Sequence, residues 1–223
     1  MITEQNIIQI LVIVVLSYLL GSFPTAYLVA KLHNINIFEV GSGNMGGTNA
    51  ARALGLSWGL VVSGVDIVKG IAAIVVARLI LPDELWLATT VSGIVVIIGH
   101  NWSLFATMIY MAANKGSRLT IRGGKGAATA FGTLLMIAPV TTILGMLTLG
   151  VSLVIITRYV SLGVLSAFGV AIAWLLVLAA QQDTNIMPYA PYAILLAFLL
   201  ILRFRGNIQR LLAGKERRLG ERV

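Results

Sequence analysis

The chain has 223 residues, of which 58% are hydrophobic and only 11% charged. A soluble domain averages about 45–50% apolar and about 25% charged, so this composition excludes one and points to an integral membrane protein. The charge of +8, from 16 Lys and Arg against 8 Asp and Glu, would suggest nucleic acid in a soluble protein. Here the basic residues sit at the ends of long apolar runs, which positive-inside topology explains and nucleic-acid binding does not. With no cysteine there is no disulfide, thiolate nucleophile or Cys-held metal.

The amino end carries Glu4 and no positive region, and its apolar run continues from Ile7 to Ala30, so it reads as a first span rather than a secretory signal. Lys31 and His33 mark its inner end, and Gly21, Ser22 and Pro24 interrupt it. A second span, Leu56 to Ile80, emerges at the acidic turn Leu81-Pro82-Asp83-Glu84, with Arg78 snorkelling. A third, Leu85 to Ile109, returns inward to Asn114–Lys125, where Lys115, Arg118, Arg122 and Lys125 occur without an acid. Ala127 to Thr157 is long for one crossing and short for two: about 31 residues give roughly 46 Å against a core about 30 Å thick. It reads as two short helices turning near Ala138-Pro139 or Gly145, which keeps Arg158 on the cytoplasmic side. Leu162 to Ala180 leads to the outer turn Gln181-Gln182-Asp183, and Pro188 to Leu202 leads to a basic tail over 203–223 that includes Arg203, Arg205, Arg210, Lys215, Arg217, Arg218 and Arg222. The expected fold is an all-α integral membrane protein. It is a single domain over 1–223, a bundle of about seven transmembrane helices with the amino end outside and the carboxyl end cytoplasmic. No strong internal repeat supports an inverted-repeat transporter.

Gly41-Ser42-Gly43-Asn44-Met45-Gly46-Gly47-Thr48-Asn49-Ala50-Ala51-Arg52 lies in the first cytoplasmic loop. Glycines admit a ligand to backbone N–H groups, and Ser, Thr, Asn and Arg all donate hydrogen bonds. No acid lies in the stretch, which suits a phosphate better than it suits a plain linker. Its G-x-G-x-x-G spacing lacks a βαβ unit, so it is not a dinucleotide fingerprint. Arg122-Gly123-Gly124-Lys125-Gly126-Ala127-Ala128-Thr129 opens a helix and offers N–H groups, a helix dipole and a lysine to an anion. It is no Walker A loop, because Gly126 follows Lys125 and Leu119 stands where the first glycine belongs. Within the spans, Asp66 and Lys69 share a helix face, as a structural ion pair, a functional group or both. His100, in Gly99-His100-Asn101-Trp102, reads as an interhelical hydrogen-bonding group, a general base or a phosphate donor. Arg158-Tyr159-Val160-Ser161 and Arg205-Gly206-Asn207-Ile208-Gln209-Arg210 add donors at helix ends. Together these groups outline a cytoplasm-facing anion pocket beside apolar helices that could hold a chain.

These segments resemble the bacterial acyl-phosphate:glycerol-3-phosphate acyltransferases, the PlsY family of membrane enzymes. Gly41 to Arg52 matches the family's GSGNxGxTNxxR signature at every fixed position. Asp66-Ile67-Val68-Lys69-Gly70 fits D-x-x-K-G, while Gly99-His100-Asn101-Trp102 and Gly123-Gly124-Lys125-Gly126-Ala127-Ala128-Thr129 fit the two halves of a second signature. Asn207-Ile208-Gln209-Arg210-Leu211-Leu212-Ala213-Gly214-Lys215-Glu216 fits N-I-x-R-L-x-x-G-x-E. The chain departs from the pattern in three places. Met108 to Thr120 reads as an insertion, Ser103 stands where proline is common, and Phe204 stands where histidine is usual.

The resemblance implies transfer of a fatty acyl group from acyl phosphate to the 1-hydroxyl of glycerol 3-phosphate, giving lysophosphatidic acid and phosphate at the inner membrane. It implies no cofactor, no metal and no obligate protein partner. Ser42, Asn44, Thr48, Asn49 and Arg52 are then assigned to one phosphate region. Lys125 with Gly123 and Gly124, helped by Ser161 and Asn207, also serves phosphate binding, and Asp66, Lys69 and Glu216 support the site. For the proton on the attacking hydroxyl the candidates are His100 and a substrate phosphate oxygen. The absence of a carboxylate dyad or a Ser–His–Asp order favours the substrate. A transporter of a phosphorylated metabolite would share the pocket, but it needs outer access past short acidic turns that repel anions. A non-catalytic subunit docking acidic lipid would leave the Gly41–Arg52 loop unexplained.

Overall fold

The computed structural model describes residues 4–114 and 118–220, and Lys115 and Arg222 lie outside the described residues. Among the described residues every regular element is helical. They form two compact units, one ending at Thr133 and the other beginning at Leu134.

The first unit opens with α1 (Glu4–Ser22) and α2 (Thr25–Leu32), one apolar run broken at Phe23-Pro24. Proline lacks the N–H a helix needs and its ring crowds the preceding turn, so the break falls where the sequence places it. There follow α3 (Gly47–Leu54), α4 (Leu56–Ile80), α5 (Leu85–Asn101), α6 (Leu104–Ala113) and α7 (Ala127–Leu135). The third apolar run is broken too, between α5 and α6 at Trp102-Ser103. Ser103 replaces the expected proline productively: its hydroxyl caps α6, accepting from Ala106 N–H at 3.1 Å. The first part of the apparent insertion, Met108 to Ala113, is the second half of α6.

The two breaks are stitched together. Ser103 Oγ donates to Ser22 O at 2.6 Å, Ser22 Oγ donates to Gly99 O at 3.3 Å, and Leu104 N–H donates to Ser22 Oγ at 3.3 Å. Tyr18 Oη donates to Trp102 O at 2.8 Å. In an apolar medium each unsatisfied backbone group would cost several kcal/mol, so these hydroxyls are what permits two interrupted helices. Small residues bring the helices close enough for this. A Cβ on Gly21 would overlap the Val96 carbonyl, and one on Gly99 the Tyr18 carbonyl. Gly70 of α4 abuts the Thr129 carbonyl and Gly132 the Ile67 carbonyl, which seats α7 against α4.

The second unit contains α8 (Val140–Thr157), α9 (Val160–Ala180) and α10 (Ala190–Leu212). α8 and α9 cross at Gly150 and Gly163, each lying against the other's helix. Their corner is Arg158, in the left-handed region at φ 63°. Arg158 also pairs with the end of the chain: its carbonyl accepts from Leu219 N–H and its Nη2 donates to Leu219 O, both at 2.7 Å.

Among the described residues six helical stretches are long and apolar enough to cross a membrane by themselves, and a seventh crossing would fall to the shorter α7. The ambiguous run does divide at Met136–Pro139, close to Ala138-Pro139 and not at Gly145. Its first part, α7, has nine residues, about 14 Å of helix against a core about 30 Å thick. The last helix continues to Leu212, so Arg203, Arg205 and Arg210 stand on α10 rather than in a loose tail.

Gly70→Leu should lower stability by about 1–3 kcal/mol or more in thermal unfolding of detergent-solubilised protein, because side chain would have to displace backbone. Gly145→Ala, where nothing lies within 4 Å of the added carbon, should be neutral or slightly stabilising.

Candidate functional site

The motif loop is built around one buried side chain. Asn49, on the first turns of α3, is 2% exposed, and both ends of its amide are engaged. Its Oδ1 accepts from Ser42 N–H at 2.9 Å and from Ser42 Oγ at 3.3 Å, while its Nδ2 donates to Val40 O at 3.0 Å and Ile37 O at 3.3 Å. Gly41, at φ +59°, leaves no room for a Cβ because the Asn49 carboxamide fills that space. Asn49 was expected to meet phosphate alongside Ser42, but in the structure its hydrogen bonds hold the loop's shape. Ser42 and Thr48 are exposed, Asn44 is half-buried, and half-buried Arg52 has its stem beside Gly41.

The second glycine segment docks on this loop and on the end of α5. Met45 N–H donates to Gly123 O at 3.3 Å, and Gly124 N–H donates to His100 O at 2.9 Å. Gly124 lies at the Nε2 edge of the His100 ring, where any Cβ would overlap Nε2, and Gly123 lies against Asn101 O. Lys125, half-buried, stands between these contacts and the start of α7. Arg122 was quoted in its motif but not assigned. Its guanidinium lies 3.9 Å from the Tyr110 ring centroid and 5.6 Å from that of Phe38. Tyr110 belongs to the inserted segment, so the insertion packs on Arg122 of the second motif.

Below the loops lies a charge cluster. Asp66 (2% exposed) and Lys69 (6% exposed) pair at 2.8 Å. Thr25 Oγ1 donates to Asp66 Oδ1 at 3.3 Å, Lys69 Nζ donates to Phe23 O at 3.4 Å, and His100 Nδ1 lies 3.8 Å from Asp66 Oδ1. Beside Lys69, the apolar side chains Leu16, Leu20, Phe23, Val65 and Val68 line an open groove of about 440 Å³. Thr25 was not singled out in the sequence, although a hydroxyl beside Pro24 at a break within an apolar run signals such a role.

Thus Ser42, Asn44, Thr48, Asn49, Arg52, Asp66, Lys69, His100, Gly123, Gly124 and Lys125 all belong to the first unit. Ser161, Asn207 and Glu216 belong to the second. There, Glu216 accepts from Asn207 Nδ2 at 2.6 Å and from Arg210 Nε at 2.8 Å, which ties the chain end to α10. Ser161 is buried with no hydrogen-bond partner for its Oγ. Phe204, at the expected histidine position, is 4% exposed. Among the described residues no group of three or more His, Cys, Asp or Glu converges to hold a metal. Chemically, the first unit offers two donor-rich glycine segments, a guanidinium, an ammonium and an imidazole beside an apolar groove.

The family model described as glycerol-3-phosphate acyltransferase matches residues 11–214. Glycerol-3-phosphate acyltransferase 1 of Deinococcus radiodurans is 40% identical, covering 96% of this chain and 97% of its own. A glycerol-3-phosphate acyltransferase of Thermus thermophilus is 41% identical over 93% and 94%. The crystal structure of PlsY, an integral membrane glycerol 3-phosphate acyltransferase, in its glycerol 3-phosphate form is similar with a TM-score of 0.77 at 34% identity, over 95% of this chain and 96% of that one. Its lysophosphatidic acid form gives a TM-score of 0.75.

Asn49→Ala should cost about 3 kcal/mol of stability through its four loop hydrogen bonds, and should take activity with it. Exposed Thr48→Ala should leave the unfolding midpoint nearly unchanged in the same denaturation assay.

Proposed function

Because the chain belongs to the glycerol-3-phosphate acyltransferase family, we propose that it moves a fatty acyl group from acyl phosphate to the 1-hydroxyl of glycerol 3-phosphate, releasing lysophosphatidic acid and phosphate. This would be the first committed step of bacterial phospholipid synthesis. The observation that carries the reading is the docking of two acid-free, glycine-rich segments, with Met45 N–H on Gly123 O at 3.3 Å and the second of them beside His100. Such an arrangement suits a substrate pair bearing two phosphates.

An acyl phosphate is already activated, so no covalent intermediate or cofactor is needed. The hydroxyl oxygen attacks the acyl carbon, the carbon–oxygen bond to phosphate breaks, and phosphate leaves with the bonding pair. The proton passes to a substrate phosphate oxygen, with His100 as the other candidate acceptor. The protein's part is positioning and charge stabilisation. We assign Ser42, Asn44, Thr48 and Arg52, with Lys125 and the Gly123 and Gly124 backbone, to phosphate, and Asn49 to holding the loop that presents them. Ser161 and Asn207 are assigned to phosphate as well, with Glu216 fixing Asn207. The groove beside Lys69 suits an acyl chain, because its lining is apolar apart from that one ammonium.

We further infer an amino end outside, a carboxyl end inside and a site facing the cytoplasm, with α7 counted as the short seventh crossing. The distribution of Lys and Arg supports this. The chain has no cysteine, so single-cysteine labelling is clean. Asp83→Cys and Asp183→Cys should react with an impermeant maleimide in intact cells, whereas Leu119→Cys and Arg217→Cys should react only after permeabilisation.

Purified protein given acyl phosphate and glycerol 3-phosphate should form lysophosphatidic acid. Arg52→Ala and Lys125→Ala should each lower kcat/KM by about 10²–10³, and near-normal turnover in either would contradict the pocket. His100→Ala should retain measurable turnover; complete loss with folding and substrate binding intact would move the proton to His100.

A further inference from the structure

Asn101 ends α5 next to His100 and is 1% exposed, yet neither its Oδ1 nor its Nδ2 has a hydrogen-bond partner. Buried carboxamides are nearly always paired, because their desolvation is otherwise uncompensated. The side chain has a definite direction. A Cβ built on Gly126 would lie 2.6 Å from Asn101 Oδ1, and Gly126 itself is at φ +79°, so glycine is required there on both counts. Gly126 immediately precedes α7, whose nine residues begin at Ala127, so the carboxamide is aimed at that helix start. A second buried polar atom stands on the same first turn: Thr129 Oγ1, on a residue 0% exposed, is also without a partner.

The chemistry of these groups selects the ligand. A phosphate dianion only accepts hydrogen bonds and would leave Oδ1 unanswered. A hydroxyl both donates and accepts, and so can answer both the donor and the acceptor end of a carboxamide. Which end is oxygen does not affect the match. Glycerol 3-phosphate carries one hydroxyl that the reaction does not consume, on carbon 2 beside the phosphate-bearing carbon. The segment assigned to phosphate, Gly123 to Lys125, wraps the end of α5 that bears Asn101, with Gly124 N–H on His100 O and Gly123 against Asn101 O.

We propose that Asn101 hydrogen-bonds the 2-hydroxyl of glycerol 3-phosphate and thereby leaves the 1-hydroxyl to be acylated. The assignment rests on the acyltransferase reading above and makes Asn101 a specificity-determining residue. A site built to pair with a substrate hydroxyl rejects the analogue that lacks it, because its own polar atoms are then stranded.

The test compares glycerol 3-phosphate with 3-hydroxypropyl phosphate, its 2-deoxy analogue, using acyl phosphate as donor. Wild-type kcat/KM should fall at least about tenfold on the deoxy substrate. In Asn101→Ala the ratio between the two substrates should collapse toward one, with Asn101→Asp, which keeps shape and acceptor, in between. Monodispersity and unfolding midpoint are measured for both variants, and Asn101→Ser replaces Asn101→Ala if the latter does not fold. Equal use of both substrates by the wild type would overturn the proposal. So would variants that slow both equally and preserve the ratio, the result expected if Asn101 binds only water. Failure of the wild type to acylate either substrate would instead overturn the acyltransferase reading itself.

Discussion

The first unit depends on a carboxylate and an ammonium 2.8 Å apart inside an apolar helix. Removing two charges from water is expensive, and their mutual attraction offsets that only when the remaining hydrogen-bonding capacity is also used. Here it is used: Thr25 donates to Asp66, Lys69 donates to Phe23 O, and the His100 ring lies alongside. Phe23 and Thr25 flank the break in the first apolar run, and His100 stands just before the break in the third. One ion pair on α4 thus bonds to residues at the first interruption and lies beside a residue that precedes the second. Removing one partner would strand a buried charge and leave the Phe23 carbonyl or the Thr25 hydroxyl without its bond.

The breaks in turn explain how an irregular loop structure is held at the end of a bundle. Continuous helices would satisfy their own backbones and have nothing to offer a neighbour. Interrupted ones expose carbonyls and N–H groups that must be answered, and Ser22, Ser103 and Tyr18 answer them across the α1–α5 contact. Glycines on the facing surfaces make the reach short enough. The polar stitching and the small-residue packing are one device seen from two sides.

Much of this was legible in the residues. Apolar run length gave α4 to the residue, because a span is set by bilayer thickness. Pro24 announced the first break through its missing N–H. The Gly41–Arg52 and Gly123–Lys125 segments were recognisable because closely placed glycines, donors and no acid form an unusual composition between apolar runs. What stayed hidden were properties that arise only when distant segments meet. Asn49 looked like one donor among several, since nothing local says that Val40 and Ile37 turn their carbonyls back toward it. Arg122 passed unassigned because its partner Tyr110 lies in a stretch with no pattern of its own. The unpaired state of Asn101 cannot be read from a chain at all, being defined by everything that fails to approach it. The length of α7 was ambiguous for a different reason: hydropathy counts apolar residues and does not say where a turn interrupts them.

The close fit of Gly124 to the His100 ring bears on how the site works. The peptide N–H at 124 is bonded to the His100 carbonyl while the space a side chain would need is filled by the imidazole Nε2 edge, so loop and helix end meet at two points. A segment held this way has little conformational entropy left to lose when a ligand arrives. The affinity of its N–H groups for an anion is therefore not consumed in ordering the loop, and stays available for the transition state. Rigidity is settled during folding, before any substrate is bound.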